Sequence, residues 1–350
     1  MEAQQSRQSI ASLDEVRSLI GELPGPNLEC SRAAKDHEAE LTKPAGALGR
    51  LEEMVEWLAA WQGTYPPRLV HPRTAVFAGN HGIVRHNVSA FPGSVTGQMV
   101  QNFIAGGAAV NQLCRTFDAD LRVYELGLEE PTGDFTQTVA MSDEECVRAM
   151  AYGMMSVEPG LDVLCLGEMG IGNTTSASAV SFALFGGRAE EWVGLGTGIS
   201  KNTLRKKIAV VEKGCALHTE KADDPLSIFA ALGGLELAAI IGAILAARLA
   251  RVPVILDGFA CTTAAAVIFA IQPKAIDHCL VSHCSVEPGH QRLLEKLGKK
   301  PLLNLEMRLG EGSGATLALG ILRAALDCHL GMATFGSAGI QGPVTGKTAR

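Results

Sequence analysis

The sequence predicts an α/β fold in which a parallel β-sheet is covered by helices. Three observations support this prediction: short apolar or β-branched runs alternate with helical segments, the runs end close to glycines or acids, and the 350-residue chain can bury a large core. Strands that alternate with helices form βαβ units, whose strands are parallel. Polar residues at the ends of these runs therefore indicate a ligand site at the carboxyl edge of the sheet.

The two ends of the chain are predicted to be helical. Residues 12–22 and 50–61 have apolar residues three to four positions apart, which is the spacing of amphipathic helices. Residues 41–50 (LTKPAGALGR) hold one proline and two glycines and predict a loop between them. The late segment GSGATLALGILRAALDCHLGM predicts a further helix, which we expect to pack on the first ones as a smaller domain.

The middle of the chain supplies the predicted sheet. Strands are expected at residues 74–82, 120–127, 161–168, 252–259 and 275–283. Helices are expected at residues 95–116, 143–157, 175–185, 204–218, 225–251 and 262–270.

Composition limits the possible partners and the compartment. The net charge of −7 and the lack of a basic patch with aromatic residues argue against nucleic acid as the main partner. Nine cysteines without CxxC spacing argue against a disulfide framework and fit a reducing cytoplasm. The first twenty residues have no apolar signal core, so neither secretion nor organelle import is indicated.

One segment has the composition of a membrane span. Residues 228–250 are long and apolar enough to be scored as one. Glu236 lies within the segment, however, and the predicted strand at 252–259 follows it directly. A small-residue helix buried on a sheet face has the same composition, so we predict no membrane partner.

The loop after the third predicted strand resembles a phosphate-binding loop that lacks its lysine. Residues 167–178 read GEMGIGNTTSAS, and Asn173 stands where GxxxxGK[ST] has the lysine. Exposed N–H groups at the start of the next helix attract an anion without that lysine. A single phosphate suits this loop better than a triphosphate, although glycine-rich strand–helix turns are also common without any ligand.

A second glycine loop, at residues 194–198 (GLGTG), precedes a helix that carries Lys206 and Lys207. This helix could supply the missing cation. The alternative is that both lysines are simply solvated on a helix face.

Two carboxylates lie in unusual, glycine-rich surroundings. Glu311, in LGEGSGA, precedes an apolar helix and is either a helix-stabilising anion or a general base whose pKa is raised by burial. Glu168 lies inside the phosphate-type loop, which modestly favours a functional role. Asp257 ends a strand, where a helix cap or turn acid is the simpler interpretation.

The run at residues 278–290 (HCLVSHCSVEPGH) brings histidines and cysteines together without a CxxC or HxxxH pair. Neighbouring residues of a strand point to opposite faces, so we predict no metal site. Ser282 and Ser285 are candidate polar contacts instead.

Taken together, these stretches resemble one enzyme family. LTKPAGALGRLE, GNHGIV, VSAFPGSVTGQMV, GEMGIGNTT, GLGTG, ALGGLELA, VPVILDGF, VSHCSVEPGH and MRLGEGSGA occur in the order found in nicotinate-nucleotide–dimethylbenzimidazole phosphoribosyltransferases. The resemblance runs from about residue 41 to residue 319. It implies transfer of phosphoribose from nicotinate mononucleotide to 5,6-dimethylbenzimidazole, which gives α-ribazole 5′-phosphate and nicotinate for cobamide synthesis, without metal or cofactor.

The resemblance also implies an architecture. It predicts a Rossmann-like large domain at residues 71–305, a small helical domain formed by residues 1–70 with 306–350, and a homodimer.

The resemblance assigns roles to individual residues. Glu311 matches the general base, and Glu168 is a second carboxylate that orients the substrate. The positions matching the base pocket are Phe91, Gln98, Met169 and Leu309. Those matching the nucleotide and phosphate site are Gly170, Gly172, Asn173, Thr174, Gly196, Gly198, Lys207 and Ser285.

The sequence leaves the acceptor open. Asn80 replaces the acid usual in this family, and the pocket positions Phe91 and Met169 vary in shape, so benzimidazole analogues, adenine or phenolic bases are alternative acceptors. A hydrolase that uses water as the acceptor is a second possibility. A non-catalytic mononucleotide-binding module would need the phosphate loops but not Glu311.

Overall fold

The computed structural model describes residues 10–222 and 224–342. It contains one parallel five-stranded sheet. The strands are β1 (Pro72–Gly79), β2 (Asp120–Leu126), β3 (Val163–Met169), β4 (Val254–Leu256) and β5 (Cys279–Val281). Their order across the sheet is β2-β1-β3-β4-β5, and every pair is parallel. The predicted α/β class and all five predicted strands are confirmed.

Helices surround the sheet. In chain order they are α1 (Leu13–Gly21), α2 (Leu28–Glu40), α3 (Arg50–Gln62), α4 (Val95–Ile104), α5 (Ala109–Phe117), α6 (Asp143–Met154), α7 (Asn173–Phe185), α8 (Lys201–His218), α9 (Pro225–Leu232), α10 (Leu235–Leu249), α11 (Phe259–Ile271), α12 (Pro288–Leu297), α13 (Ser313–Gly331) and α14 (Phe335–Ala338).

The two faces of the sheet bury alternate residues of each strand, as the pleat requires. Leu164 and Leu166 of β3 belong to the larger core, which also contains residues of α6, α7, α10 and α11. Val163 and Cys165 belong to the opposite core, which contains residues of α3 and α13. Both faces are covered, which explains the nearly continuous apolar composition of these strands.

Two long predicted helices are each broken by a glycine pair, which corrects the sequence prediction. The segment 95–116 divides into α4 and α5 at Gly106, whose φ of +80° is left-handed, and Gly107. The segment 225–251 divides into α9 and α10 at Gly233 and Gly234, where a side chain on Gly233 would approach Phe229 to 2.6 Å. Within the described ranges, no helix is long and apolar enough to cross a membrane.

Helices from both ends of the chain pack together, but not all of them do so. α3 contacts α2 and α13, whereas α1 contacts α6 and α11 on the other side of the sheet. The two-domain division at residues 70–71 and 305–306 stays a prediction. Its outer limits, residues 1–9 and 343–350, lie outside the described residues.

Candidate active site

The predicted site residues gather at the carboxyl edge of the sheet, beside the strand-order switch point. The chain enters the sheet at β1 and places β2 on one side of it and β3 on the other. Such a reversal opens a crevice beyond the strand ends, where ligands of open α/β sheets bind. Phe77 of β1 pairs with Glu168 of β3 in this part of the ladder, so Asn80 and Glu168 both lie at the crevice.

The first glycine loop turns tightly from β3 into α7. Gly172 is the residue before the helix and has φ of +97°, and a side chain there would press on Val84 at 2.8 Å. The backbone N–H of Ile171 donates to Thr96 Oγ1 at 3.1 Å, which fixes the loop to α4. α7 therefore begins at the carboxyl edge of the sheet, directly after this loop.

Lys207 lies beside this loop rather than in solvent. Its side chain is only 1% exposed, and Nζ donates to Thr174 Oγ1 at 2.8 Å and to the carbonyl oxygen of Gly194 at 3.2 Å. Burial lowers the pKa of Lys207 to about 8, while the nearby carboxylate of Glu287 acts in the opposite direction. Lys207, on α8, thus places a buried cation beside the first loop, which has no lysine of its own. The alternative that this lysine is solvated on a helix face is wrong.

Ser285 is held next to the second loop by α12. Its backbone N–H donates to His290 Nδ1 at 2.9 Å, and its Oγ accepts the N–H of Glu287 at 3.3 Å. Because Nδ1 of His290 is the acceptor, Nε2 carries the proton and donates to Thr262 Oγ1 at 3.0 Å. Burial lowers the pKa of His290 to about 3, so this histidine remains neutral and structural.

Glu311 occupies a strained turn directly before α13. Its φ is +66°, in the left-handed region that side-chain-bearing residues seldom adopt, and its glycine neighbours at 310 and 312 are left-handed too. The residue is 4% exposed, and Oε2 has no hydrogen-bond partner among the described residues. Burial and the charge of Asp257 raise the pKa of Glu311 to about 7.

Glu168 faces the same crevice. Asn173 Nδ2 donates to Glu168 Oε2, and the backbone carbonyl of Glu168 accepts the N–H of Glu311 at 3.1 Å. Burial, with Asp257 and Glu236 nearby, raises the pKa of Glu168 to about 8, although the Asn173 hydrogen bond lowers it. The two predicted carboxyl groups are therefore neighbours, and the pKa values of Glu311 and Glu168 are raised to about 7 and about 8.

Asp257 supports the Glu311 turn. Its two carboxylate oxygens accept the N–H of Gly312 at 3.1 Å and the N–H of Ala315 at 3.0 Å, and its side chain is fully buried. These bonds satisfy orphan donors at the start of α13. The helix-cap interpretation of Asp257 is confirmed.

A second buried pair lies below Glu168. Glu236 Oε1 is 2.7 Å from His81 Nε2, and His81 Nδ1 is 3.0 Å from Ser176 Oγ. Glu236 is fully buried, and its other carboxylate oxygen has no partner among residues 10–222 and 224–342. The pair links the segment after β1 to α7 and α10.

The four predicted base-pocket residues lie on four different segments of the chain. Phe91 is 50% exposed, and the segment before it is bound to the second glycine loop, since the N–H of Ala90 donates to Thr197 Oγ1 at 3.0 Å. Leu309 is 57% exposed and precedes the Glu311 turn. Met169 ends β3 and is partly buried against the Val76 cluster. Gln98 is exposed on α4, two residues after Thr96, and makes no described contact with the other predicted residues.

Asn80 is anchored at the crevice by one half of its amide. Nδ2 donates to the carbonyl oxygen of Leu128 at 2.7 Å, whereas Oδ1 is buried without a partner among the described residues. The residue is thus fixed as an acceptor that does not titrate.

Sequence reasoning missed three contributors to the site. Glu287 is a buried carboxylate beside the second loop, His81 pairs with Glu236, and Arg308 Nη1 donates to the carbonyl oxygen of Gly196 at 3.1 Å. The sequence does show Glu236 as an acid within an apolar run and Glu287 as an acid within SVEPGH. No sequence signal separates Arg308 from an ordinary surface arginine.

The histidine and cysteine run does not converge on one point. His278 contacts Arg248 and the carbonyl oxygen of Ile244, while His290 serves Ser285. Within the part of the chain that the structure describes, no group of three or more His, Cys, Asp or Glu residues is arranged to hold a metal ion.

A cavity of about 870 Å³ lies elsewhere, at the carboxyl end of β2, and is lined by Glu125, Glu130, Arg148 and Tyr152 among others. It contains none of the predicted site residues. We place the site at the crevice instead, because the buried lysine, the poised carboxyl groups and the glycine loops converge there.

Comparison with known proteins identifies relatives of this chain. A family model described as phosphoribosyltransferase matches residues 23–340. A nicotinate-nucleotide–dimethylbenzimidazole phosphoribosyltransferase of Brucella anthropi is 56% identical over 329 residues, which cover 94% of this chain and 97% of that protein. The Rhizobium etli protein of the same name is 55% identical with the same coverage.

Two solved structures from Thermus thermophilus are also similar. One, titled CobT, superposes with a TM-score of 0.85 and 40% identity over 89% of this chain and 99% of that one. The other, titled with the phosphoribosyltransferase name, has a TM-score of 0.83 and 40% identity over 90% and 99%.

Proposed function

The chain belongs to the nicotinate-nucleotide–dimethylbenzimidazole phosphoribosyltransferase family, and from this premise we propose how its residues carry out the transfer. It is a pentosyltransferase of cobalamin biosynthesis: phosphoribose passes from nicotinate mononucleotide to 5,6-dimethylbenzimidazole, giving α-ribazole 5′-phosphate and nicotinate. The observation that carries the mechanism is the buried Glu311 carboxyl, with an unpartnered oxygen and a raised pKa, at the same edge as the phosphate loops.

The phosphate of the nucleotide binds between the two glycine loops. Lys207 provides the charge, and the backbone and hydroxyl donors of the loops surround the remaining oxygens. The residues of this subsite are Gly170, Gly172, Asn173, Thr174, Gly196, Gly198, Lys207 and Ser285. A monoester phosphate and a cationic pyridinium leaving group need no further cation, because no pyrophosphate departs.

The chemical step is a displacement at C1′ of the ribose. One nitrogen of the benzimidazole forms the new bond to C1′, and the bond from C1′ to the nicotinate nitrogen breaks, with its electron pair returning to the pyridine ring. Glu311 takes the proton from the other benzimidazole nitrogen as positive charge builds on the ring. Attack opposite the leaving group converts the β-nucleotide into the α-product.

The two carboxyl groups have separate roles. Glu311 Oε2 has no partner among the described residues, whereas Glu168 Oε2 accepts a hydrogen bond from Asn173 Nδ2. Glu311 is therefore the base, while Glu168, held by Asn173, orients the substrates. The negative charge of Asp257 and Glu236 beneath them favours the cationic character that develops at C1′.

We assign the acceptor to the positions that match the family's base pocket, Phe91, Gln98, Met169 and Leu309. The apolar members of this set suit a flat aromatic base. Phe91 and Leu309 are largely exposed in the single chain, which supports a homodimer in which the second copy covers the entrance. Mass measurement in solution tests this: a particle of about twice 36.8 kDa is expected, and a monomer contradicts the dimer.

The nine cysteines are all free in the structure, which supports a reducing compartment such as the cytoplasm. Retention of full activity in excess thiol is the expected result. Loss of activity on reduction would contradict this proposal.

The reaction itself is tested by mixing the protein with nicotinate mononucleotide and 5,6-dimethylbenzimidazole, without added metal. Nicotinate and α-ribazole phosphate are then separated by chromatography. Equal amounts of both products, formed only with acceptor, are expected. Nicotinate release without acceptor would instead indicate a hydrolase, and mononucleotide binding without turnover would indicate a non-catalytic binding module.

The choice of acceptor is tested in the same assay. Benzimidazole, adenine and a phenol are compared with 5,6-dimethylbenzimidazole at equal concentration. We expect 5,6-dimethylbenzimidazole to give the highest kcat/KM. A higher kcat/KM with another base would identify that base as the preferred acceptor.

A further inference from the structure

One buried acid beside the phosphate loops has no part in the mechanism above. Glu287 directly precedes α12 and is 6% exposed, yet its side chain does not cap that helix. A carboxylate at this position would repel the phosphate of the substrate. Its presence therefore needs a separate explanation.

The contacts of Glu287 reach two parts of the proposed phosphate subsite. Glu287 Oε1 accepts the backbone N–H of Gly196 at 2.8 Å, and the backbone N–H of Glu287 donates to Ser285 Oγ at 3.3 Å. Oε2 is buried without a partner among the described residues, and a side chain on Gly194 would overlap it. Glu287 thus joins the second glycine loop to the segment that carries Ser285.

Lys207 is the third part of the proposed phosphate subsite near Glu287. Its ammonium has three N–H donors, of which two are used by Thr174 Oγ1 and the carbonyl oxygen of Gly194. Both acceptors are neutral and do not offset the cost of burying a cation. Glu287 supplies the opposite charge across Gly194: a side chain on Gly194 would overlap Glu287 Oε2, and the carbonyl oxygen of the same residue accepts from Lys207 Nζ at 3.2 Å.

We propose that Glu287 is the positioning residue of the phosphate subsite: it fixes Gly196 and Ser285 and provides the negative charge opposite Lys207 before the substrate arrives. This inference rests on the proposed function. It explains why an acid lies beside an anion site, because a neutral Lys207 would bind phosphate poorly and would leave Glu287 itself without a counter-charge.

Other charged groups around Lys207 do not substitute for Glu287. Arg205 and Lys206 are exposed on the same helix, and Arg308 contacts Gly196 from the solvent side. The charged residues on the other elements that pack against α8 are Arg85, His86, Glu190, Glu191, Glu220 and Lys221. Within the described ranges, neither these six nor Glu287 forms a hydrogen bond or ion pair with Lys207, and Glu287 is the charged group whose field raises the pKa of Lys207 against the effect of burial.

The decisive variant is Glu287→Gln, which keeps the side-chain volume and an oxygen for Gly196 but removes the charge. Without the carboxylate, the pKa of Lys207 falls further. KM for nicotinate mononucleotide is then expected to rise about tenfold at pH 8 and to stay near the wild-type value at pH 6, with kcat at saturation unchanged. Glu295→Gln, an exposed acid on α12, is the matched control and should show wild-type behaviour.

Two results would overturn the proposal. One is a KM for Glu287→Gln that follows the wild-type pH dependence. The other is a change in the pH dependence of KM when Glu287→Gln is added to Lys207→Gln. Glu287 is proposed to affect that pH dependence only through Lys207, so the double variant should follow the pH dependence of Lys207→Gln.

If Glu287→Gln does not fold, Glu287→Asp provides the test. Aspartate keeps the charge but is too short to hold Gly196, and that loss does not depend on pH, so KM should rise at pH 6 as well as at pH 8. A rise confined to high pH would refute the proposal.

Failure of the proposed function is recognised separately. If wild-type protein does not turn over the mononucleotide, calorimetric binding of inorganic phosphate replaces KM as the readout. The same pH shift between wild type and Glu287→Gln is then expected, and its absence would overturn the role of Glu287.

Discussion

The backbone N–H of Glu311 donates a hydrogen bond to the carbonyl oxygen of Glu168 at 3.1 Å. This contact holds the turn before α13 against the end of β3, so the proposed base is positioned by the strand that also begins the phosphate loop. β3 therefore connects the residue proposed to remove the proton with the loop proposed to bind the phosphate.

The rate should depend on pH with a bell shape. Glu311 must be deprotonated to act as base, and burial with Asp257 raises its pKa to about 7. Lys207 must be protonated to bind phosphate, and burial lowers its pKa to about 8. kcat/KM should therefore rise through about pH 7 and fall above about pH 8. Initial rates from pH 5 to 10 measure this, and a flat profile across that range would contradict both assignments.

Asp257→Asn should shift one limb of that profile. The charge of Asp257 raises the pKa of Glu311, so its removal lowers that pKa and moves the rising limb of kcat/KM to lower pH. The variant also weakens the cap of α13 and should lower the free energy of unfolding by about 1 kcal/mol. A rising limb that stays in place while the protein is destabilised would mean that Asp257 only caps the helix.

Lys207→Gln should weaken binding of the nucleotide and leave chemistry largely intact. Losing a charge-assisted hydrogen bond to phosphate costs about 1.5–3 kcal/mol, which corresponds to a KM for nicotinate mononucleotide raised about 10- to 100-fold. Lys206→Gln removes an exposed charge one residue earlier and is the control. Equal effects of the two variants would place the phosphate elsewhere.

Gly167→Ala should disturb the site through packing. An added methyl group at this position would overlap the backbone nitrogen of Gly312, which belongs to the Glu311 turn. We expect a loss of about 1–3 kcal/mol in stability and a fall in kcat, because the turn must move away from β3. Gly21→Ala, where nothing lies within 4 Å of the added group, is the control. Wild-type kcat in Gly167→Ala would show that the close approach is not needed.

Much of the fold was visible in the sequence because local patterns determine it. The strand that ends at Met169 follows an apolar run, and the loop after it is marked by glycines that the turn into α7 requires. Helix ends were less visible, since glycine pairs such as Gly233 and Gly234 break an apolar pattern that continues on both sides.

The missed site residues depend on tertiary contacts. Glu287 and Gly196 meet only because α12 packs against the loop after α7, and no local pattern predicts that contact. The same holds for the pair formed by His81, which follows β1, and Glu236 of α10. The family motifs predicted Lys207 as a phosphate-site residue, whereas its burial and lowered pKa are visible only in the fold.

The central claim is that Glu311 removes the proton from the acceptor base. The most direct measurement is the single-turnover rate of Glu311→Gln with nicotinate mononucleotide and 5,6-dimethylbenzimidazole, alongside calorimetric binding of the mononucleotide and the control Glu306→Gln, an exposed acid in the same loop. We predict that the rate falls about 10²- to 10⁴-fold while mononucleotide affinity stays within a factor of about three. A Glu311→Gln rate equal to that of wild type would contradict the account.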